Sequence, residues 1–173
     1  MKRWIAFGLL LAGLRVAPGG TAISTAQDDS NQRAPAAISY YDFWPGTWHQ
    51  VVDEVVEEEP RFEVQRGLHP NSFEELWHMD GYEAKAWRVW DETAERWRFV
   101  WISEEGHFQI WEERKVGEHW YMYKEFVIDG EPVLSRQAFL PQENGTVVRT
   151  SEHSRDGGET WKLRFREVLV EVP

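Results

Sequence analysis

The fold is decided by the stretch Arg96-Trp97-Arg98-Phe99-Val100-Trp101-Ile102, in which aromatic residues alternate with basic and aliphatic ones. Successive side chains of a β-strand point to opposite faces, so Trp97, Phe99 and Trp101 share one face of such a strand. The other face carries Arg96, Arg98 and Val100. The stretch therefore predicts a strand whose aromatic face is buried.

Similar short strands continue on both sides, separated by turn sequences such as Asp80-Gly81, Asp129-Gly130 and Asn144-Gly145. With no helical pattern between them, they predict an all-β antiparallel meander that closes into an up-and-down barrel of eight to ten strands. A short helical turn over residues 38–44 precedes it, and Glu57–Pro60 is predicted to be a hairpin loop. The predicted strands span residues 48–56, 61–68, 73–79, 83–90, 96–102, 107–116, 119–128, 133–140, 146–154 and 160–170.

The first 26 residues have the pattern of a secretory signal peptide. Lys2 and Arg3 precede an apolar run over residues 4–14, and Ser24-Thr25-Ala26 offers a small-residue cleavage site. The polar residues 27–37 are predicted to be a disordered leader, and residues 38–173 to form a single domain. We therefore expect a periplasmic or extracellular protein that is not inserted in the membrane in its mature form.

Charge and composition exclude several classes of function. Cleavage after Ala26 would remove three basic residues and no acid, which changes the formal net charge from −11 to −14. Such a charge repels phosphate backbones, so nucleic-acid binding is not expected. The chain has no cysteine, which excludes disulfides and thiolate metal sites. No glycine-rich nucleotide loop, serine-nucleophile motif or paired-histidine metal motif is present.

Five segments resemble a family of uncharacterised bacterial lipocalin-like, calycin-type β-barrels. Residues 42–48 (DFWPGTW) resemble its D-F-x-x-G-x-W opening. Residues 135–139 (SRQAF) and 152–161 (EHSRDGGETW) resemble its closing hairpins, the second with the pattern S-x-D-G-G-x-T-W. Residues 74–77 and 90–97 resemble internal segments, although Ala94 stands where the family usually has glycine. The resemblance covers residues 41–170 and implies a lipocalin-like barrel without implying an activity.

This resemblance assigns structural roles to several residues. Gly46 would let the chain turn into the first strand, and Trp48 would fill the closed end of the barrel. In lipocalins an arginine of the last strand covers that tryptophan, and Arg164 and Arg166 are the candidates here. Residues 154–161 also fit the Asp-box pattern of sialidase-like propellers, which predicts a hairpin turn built on Asp156, Gly158 and Trp161.

The eleven tryptophans have two interpretations. They fill the interior of a wide barrel, which is the interpretation we favour, or they line a pocket for a ligand. In the second case we expect a lumen lined by aromatic and polar residues of several strands, with neither a catalytic nor a metal-binding residue assigned. The predicted ligand-lining residues are Trp77, Trp87, Trp101, Trp111, His119, Tyr121, Tyr123 and Arg136.

The sequence also allows two further chemistries, each with a structural role as the alternative for the same residues. A histidine or tyrosine facing an aromatic lumen could ligate haem iron, with His119, Tyr121 and Tyr123 as candidates, although surface or core histidines are the default and no cofactor is assigned. Acid–base catalysis in a dry lumen could use polar side chains of several strands. The residues available for it are Glu75, Arg88, Glu113, Tyr121, Tyr123 and Arg136.

The sequence thus predicts an exported barrel that binds a small apolar or aromatic molecule. The alternatives are a small barrel enzyme with isomerase- or lyase-type chemistry, and a solid barrel that acts as a protein-interaction module with an unknown partner. A cavity of about 300 Å³ or more in the lumen would favour binding, whereas a lumen filled by tryptophans would favour function at the outer surface.

Overall fold

The computed structural model describes residues 37–173, in which ten antiparallel strands form a closed barrel. Each strand pairs with its neighbours in sequence, and β1 pairs with β10 to close the ring. The predicted all-β up-and-down barrel is confirmed, at the upper end of the expected strand number. The strands are β1 (Gly46–Val52), β2 (Val55–Arg66), β3 (Ser72–Met79), β4 (Tyr82–Asp91), β5 (Arg96–Ser103), β6 (Phe108–Val116), β7 (His119–Ile128), β8 (Glu131–Pro141), β9 (Val147–Ser154) and β10 (Lys162–Glu171).

The amino-terminal predictions fall partly outside the described residues. The predicted signal peptide, residues 1–26, and the predicted leader up to residue 36 lie in the part of the chain that the structure does not describe. Residues 37–43 form consecutive turns, with Asp42 N bonded to Ser39 O and Trp44 N to Tyr41 O, where a helical turn was predicted. Within residues 37–173 no helix has the length and apolar character needed to cross a membrane.

The interior of the barrel is aromatic, as the alternation in β5 predicts. Trp97, Phe99 and Trp101 are all buried and face inward. In the antiparallel register Trp97 lies opposite Trp90, and Phe99 lies opposite Trp111. Because these side chains interlock across neighbouring strands, the core consists of ring-to-ring contacts, which suits a fold that has no disulfide to support it.

The first hairpin differs from its prediction. The turn falls at Asp53-Glu54, where both residues have positive φ angles of 48° and 68°, so Glu57–Pro60 lies within β2 and is not a loop. Pro60 lies opposite His49 at a point where the register between β1 and β2 shifts. A proline has no amide proton to donate to the ladder, and an irregularity in the pairing is where a strand tolerates one.

One end of the barrel is covered by residues 37–44, here called the amino-terminal cap. Tyr41 and Trp44 of the cap are fully buried, and Trp97 Nε1 donates a hydrogen bond to Ala37 O at 3.0 Å. Trp44 stacks on Trp48 with ring centroids 5.5 Å apart and packs against Phe139 at 4.5 Å. The cap therefore fills the closed end with aromatic side chains that continue the core.

Gly46 and Trp48 have the structural roles that the resemblance implies, but the arginine lid was wrong. Gly46 has a φ of 144°, and a Cβ atom there would lie 2.6 Å from Glu171 Oε1. Trp48 is buried and donates to Trp44 O at 2.9 Å. Among the described residues no cation–π contact joins Arg164 or Arg166 to Trp48, because both arginines are exposed on β10 and the cap covers the tryptophan instead.

The hairpin between β9 and β10 is built as the Asp-box pattern predicts. Asp156 Oδ1 accepts hydrogen bonds from Ser154 Oγ at 2.6 Å and from Thr160 N at 2.9 Å. These hydrogen bonds, first of all that from Ser154, hold the pKa of the Asp156 carboxyl well below its usual range. Trp161 Nε1 donates to the carbonyl of Gly158, whose φ is 101°. The motif thus has a purely structural explanation.

Candidate functional site

A cluster of charged side chains lies in the middle of the barrel, between the cap and the opposite end. It consists of Tyr41, Glu75, Arg88 and Glu113, here called the charged cluster, and the side chains of the last three have no exposed surface. Arg88 Nε donates to Glu75 Oε1 at 3.0 Å, and Arg88 Nη1 bonds Glu113 Oε1. Tyr41 Oη donates to Glu113 Oε2 at 2.9 Å. One guanidinium thus joins two carboxylates from β3 and β6.

Burial decides the protonation behaviour of the charged cluster. Loss of hydration raises the pKa of the Glu113 carboxyl, against the lowering effects of Arg88 and of the Tyr41 hydrogen bond. Burial likewise raises the pKa of the Tyr41 hydroxyl well above its usual value. The Arg88 guanidinium lies over the ring of Tyr41 at 4.3 Å and that of Phe99 at 4.7 Å. The side chains of Glu75, Arg88 and Glu113 thus lie buried beside aromatic rings, with no exposed surface.

The end of the barrel opposite the cap contains a cavity of about 310 Å³, here called the lumen cavity. One wall is mainly aromatic and comes from β3 to β7. Trp77, Trp101 and Trp111 of this wall are less than 10% exposed. Its other apolar residues are Met79, Tyr82, Phe99, Met122 and Phe126. The volume meets the threshold of about 300 Å³ that favours a binding function.

The opposite wall of the lumen cavity is polar and comes from β8, β9 and β10. Arg149 is 3% exposed, donates from Nη1 to Glu167 Oε2 at 2.9 Å and from Nη2 to Gln137 Oε1 at 3.0 Å. Its guanidinium also lies over the rings of Trp77 at 4.9 Å and Phe165 at 4.8 Å. Arg164, which is exposed, borders the cavity near solvent. The cavity is therefore apolar on one side and cationic on the other.

Trp77 separates the lumen cavity from the charged cluster. Its ring borders the cavity, and its Nε1 donates to Glu75 Oε2 at 2.8 Å on the other side. Arg88 and Glu113 do not line the cavity. Phe99 also lines the cavity and lies under the Arg88 guanidinium, so the cluster contacts the wall of the site through Trp77 and Phe99.

The predicted ligand-lining residues fall into two groups. Trp77, Trp101 and Trp111 line the lumen cavity together. The other five do not, because the inward face of β7 carries Trp120 and Met122, so that Tyr121 and Tyr123 face outward. Trp87 is 41% exposed on the outer face of β4. His119 lies at the capped end, where its Nδ1 is 3.0 Å from the Tyr40 hydroxyl, and Arg136 stacks over Trp161 at 4.0 Å outside the barrel.

The geometry of the lumen cavity gives little support to haem ligation or to acid–base catalysis by the residues predicted for them. His119, Tyr121 and Tyr123 do not border the lumen cavity, so these residues do not fit a haem in it. Within residues 37–173 no group of three or more histidine or acidic side chains could hold a metal ion. Of the acid–base candidates, Glu75, Arg88 and Glu113 do come together, but in the buried charged cluster, and the other three lie on the outer face.

Sequence reasoning missed the polar wall. Arg149, Gln137 and Glu167 are polar residues on strands, and such residues ordinarily face solvent. The available signal was register, since Arg149 lies opposite both Phe139 of β8 and Glu167 of β10. Residues directly opposite each other share a face, so the buried Phe139 places Arg149 inside.

A larger depression, of about 430 Å³, lies on the outer face of β2–β4 and is a weaker candidate. Its walls include Glu63, Gln65, Lys85 and Trp87, all of which are exposed. Polar and charged side chains dominate its walls, whereas the lumen cavity offers the buried tryptophans Trp77, Trp101 and Trp111.

Comparison with known proteins assigns no function to this site. No model of a known protein family matches the chain, and no curated protein matches it.

Proposed function

We propose that the protein is an exported barrel that binds a small aromatic molecule in the lumen cavity. The observation that carries the proposal is the cavity itself, about 310 Å³ walled by Trp77, Trp101 and Trp111. Burying an aromatic ring against such side chains is favourable because apolar surface leaves water and ring edges meet ring faces. The volume suits a molecule of one or two fused rings.

The test compares two tryptophan variants by isothermal titration calorimetry with naphthalene derivatives as probes. Trp101→Ala removes a wall of the cavity, and we expect it to weaken binding at least about tenfold. Trp87→Ala removes an exposed tryptophan of the same barrel that does not touch the cavity, and we expect it to bind like the wild type. Equal affinities of the two variants would contradict a lumen site. Native mass spectrometry of protein purified from the exported fraction would reveal a retained ligand.

The outer face of β4–β6 supports a second candidate function, self-association with a second copy of the chain. Ile102, Phe108 and Ile110 are 39%, 62% and 56% exposed and adjoin Trp87 through Val100. Charges of both signs border this patch, with Lys85 and Arg98 alongside Glu83 and Glu112, so a face of this kind complements itself about a two-fold axis.

Analytical ultracentrifugation tests the second candidate. We expect a dimer that Ile110→Lys dissociates and that Val127→Lys, at an exposed apolar position outside the patch, leaves intact. A wild-type monomer at about 100 μM, a concentration far above the dissociation constants of stable homodimers, would reject it.

A further inference from the structure

Two residues that line the lumen cavity have side-chain hydrogen-bond donors without an acceptor in the described part of the chain. Arg149 Nε and Trp101 Nε1 are both buried, both belong to residues that line the cavity, and neither has a hydrogen-bond partner among the described residues. A buried donor without a partner is destabilising, so a ligand that supplies an acceptor to these side chains is favoured. These unpaired N–H groups therefore favour an aromatic ligand that carries hydrogen-bond acceptors.

The charges around the cavity favour an anionic acceptor. The charged residues that line it, Arg149 and Arg164, are both cations, and no carboxylate is among its lining residues within the described chain. Glu167 pairs with Arg149 at 2.9 Å and also accepts from Arg61 Nη2 at 3.3 Å, while Arg61 Nη1 bonds the exposed Asp80 at 3.0 Å. Arg164, in contrast, has no ion pair among the described residues, so it leaves positive charge at the polar wall of a protein whose formal net charge is −11.

We propose that the lumen cavity binds a small aromatic carboxylate, with its ring against Trp77 and Trp101 and its carboxylate at Arg149. The inference rests on the proposed function, because it names the ligand class of the same cavity. An arginine forms directional, charge-assisted hydrogen bonds with a carboxylate, and Arg149 is held for this by Gln137 and Glu167. Burial lowers the pKa of the Arg149 guanidinium, so a bound anion offsets the cost of keeping that charge in the interior.

The experiment compares 2-naphthoate with 2-naphthamide, which has nearly the same shape and no charge. We expect calorimetry to show that the wild type binds 2-naphthoate at least about tenfold more tightly, as charge-assisted hydrogen bonds are roughly twice as strong as neutral ones. The preference should be lost in Arg149→Gln. Because Arg149→Gln also removes the buried partner of Glu167 and so lowers folding stability, Arg164→Gln provides a second variant at an exposed position. We expect it to lower the preference about two- to fivefold.

Arg166→Gln is the matched control, since Arg166 lies two residues further along β10, is also exposed and does not line the cavity. It should keep the wild-type preference. Equal binding of the amide and the carboxylate to the wild type would overturn the inference and leave the aromatic site standing. Failure of both probes to bind would contradict the inference and the proposed function together.

Discussion

At the scale of single residues, Arg88 is the centre of the charged cluster. It is fully buried and joins the carboxylates of Glu75 and Glu113. A buried ion pair adds little net stability over an apolar substitute, but removing one partner leaves the others uncompensated. The ion pairs of Arg88 therefore add little net stability, but its removal would leave Glu75 and Glu113 buried without a cation.

Arg88→Met should lower the free energy of unfolding by ~3–5 kcal/mol, because it leaves two buried carboxylates without a cation. Urea unfolding followed by tryptophan fluorescence measures this. The control is Arg98→Met on the next strand, where the ion pair with Asp91 is partly exposed and a change of about 1 kcal/mol or less is expected. If both variants lose the same small amount, the cluster has no structural role.

Glu113 makes the free energy of unfolding of the barrel depend on pH. Its pKa is raised in the folded state, so the folded chain holds the proton more tightly than the unfolded chain, where the pKa is near the ordinary 4.5. The stability from this group is fully present below pH 4.5 and is lost as the pH rises through the folded value. The neighbouring groups are the cationic Arg88, the carboxyl of Glu75 and Tyr41, whose pKa is raised well above its usual value.

Glu113→Gln should remove that dependence. We expect the stability of the wild type relative to this variant to fall as the pH rises from 4.5 upward, as measured by urea unfolding at several pH values. Glu112→Gln, at the adjacent exposed position, should follow the wild-type curve. A constant difference between wild type and Glu113→Gln across this range would show that the carboxyl does not titrate there.

At the scale of elements, the ten strands could be located from period-two patterns because the barrel interior is aromatic on nearly every strand. The first turn could not. Asp53-Glu54 contains no glycine or asparagine, yet both residues take the left-handed conformation that a two-residue turn between twisted strands requires. The glutamates and proline at positions 57–60 suggested a loop more strongly, although they belong to a strand.

The strain at this turn leads to a stability prediction. Glu54 has a φ of 68°, which costs roughly 1 kcal/mol for a residue with a side chain and nothing for glycine. Glu54→Gly should therefore raise the midpoint of thermal unfolding. Glu57→Gly, three residues later in β2, should lower it, because glycine weakens a strand interior. If both variants shifted the midpoint of thermal unfolding in the same direction, the turn would not lie at Asp53-Glu54.

The candidate site was predicted only on its aromatic side. Trp77, Trp101 and Trp111 belong to strands with clear alternation, so their inward direction followed from the pattern. In β7 both faces carry aromatic residues, and the choice of Tyr121 and Tyr123 over Trp120 and Met122 was therefore wrong by one residue of register. Arg149 and Gln137 were not predicted because a period-two pattern does not distinguish a polar residue that faces inward from one that faces outward.

At the scale of the whole molecule, the amino-terminal cap is part of the core. Trp44 connects the cap to β1 through Trp48, to β2 through Phe62 and to β8 through Phe139. Trp44→Ala should cost ~3–5 kcal/mol and should preserve a single unfolding transition, since cap and barrel share one set of contacts. Phe43→Ala, at a half-buried cap position, should cost clearly less. Two separate transitions in denaturant would show that the cap folds independently.

The pairing of β1 with β10 has a consequence for the order of events during synthesis. Trp48 lies opposite Glu171 in this pair of strands, so barrel closure joins segments from opposite ends of the described chain. Loop closure over such a distance is slow, and no shorter nascent chain contains both partners. Until β10 has left the ribosome, the sheet keeps two unpaired edges and stays open. A nascent chain of this design therefore completes its barrel only after the last strand has been synthesised.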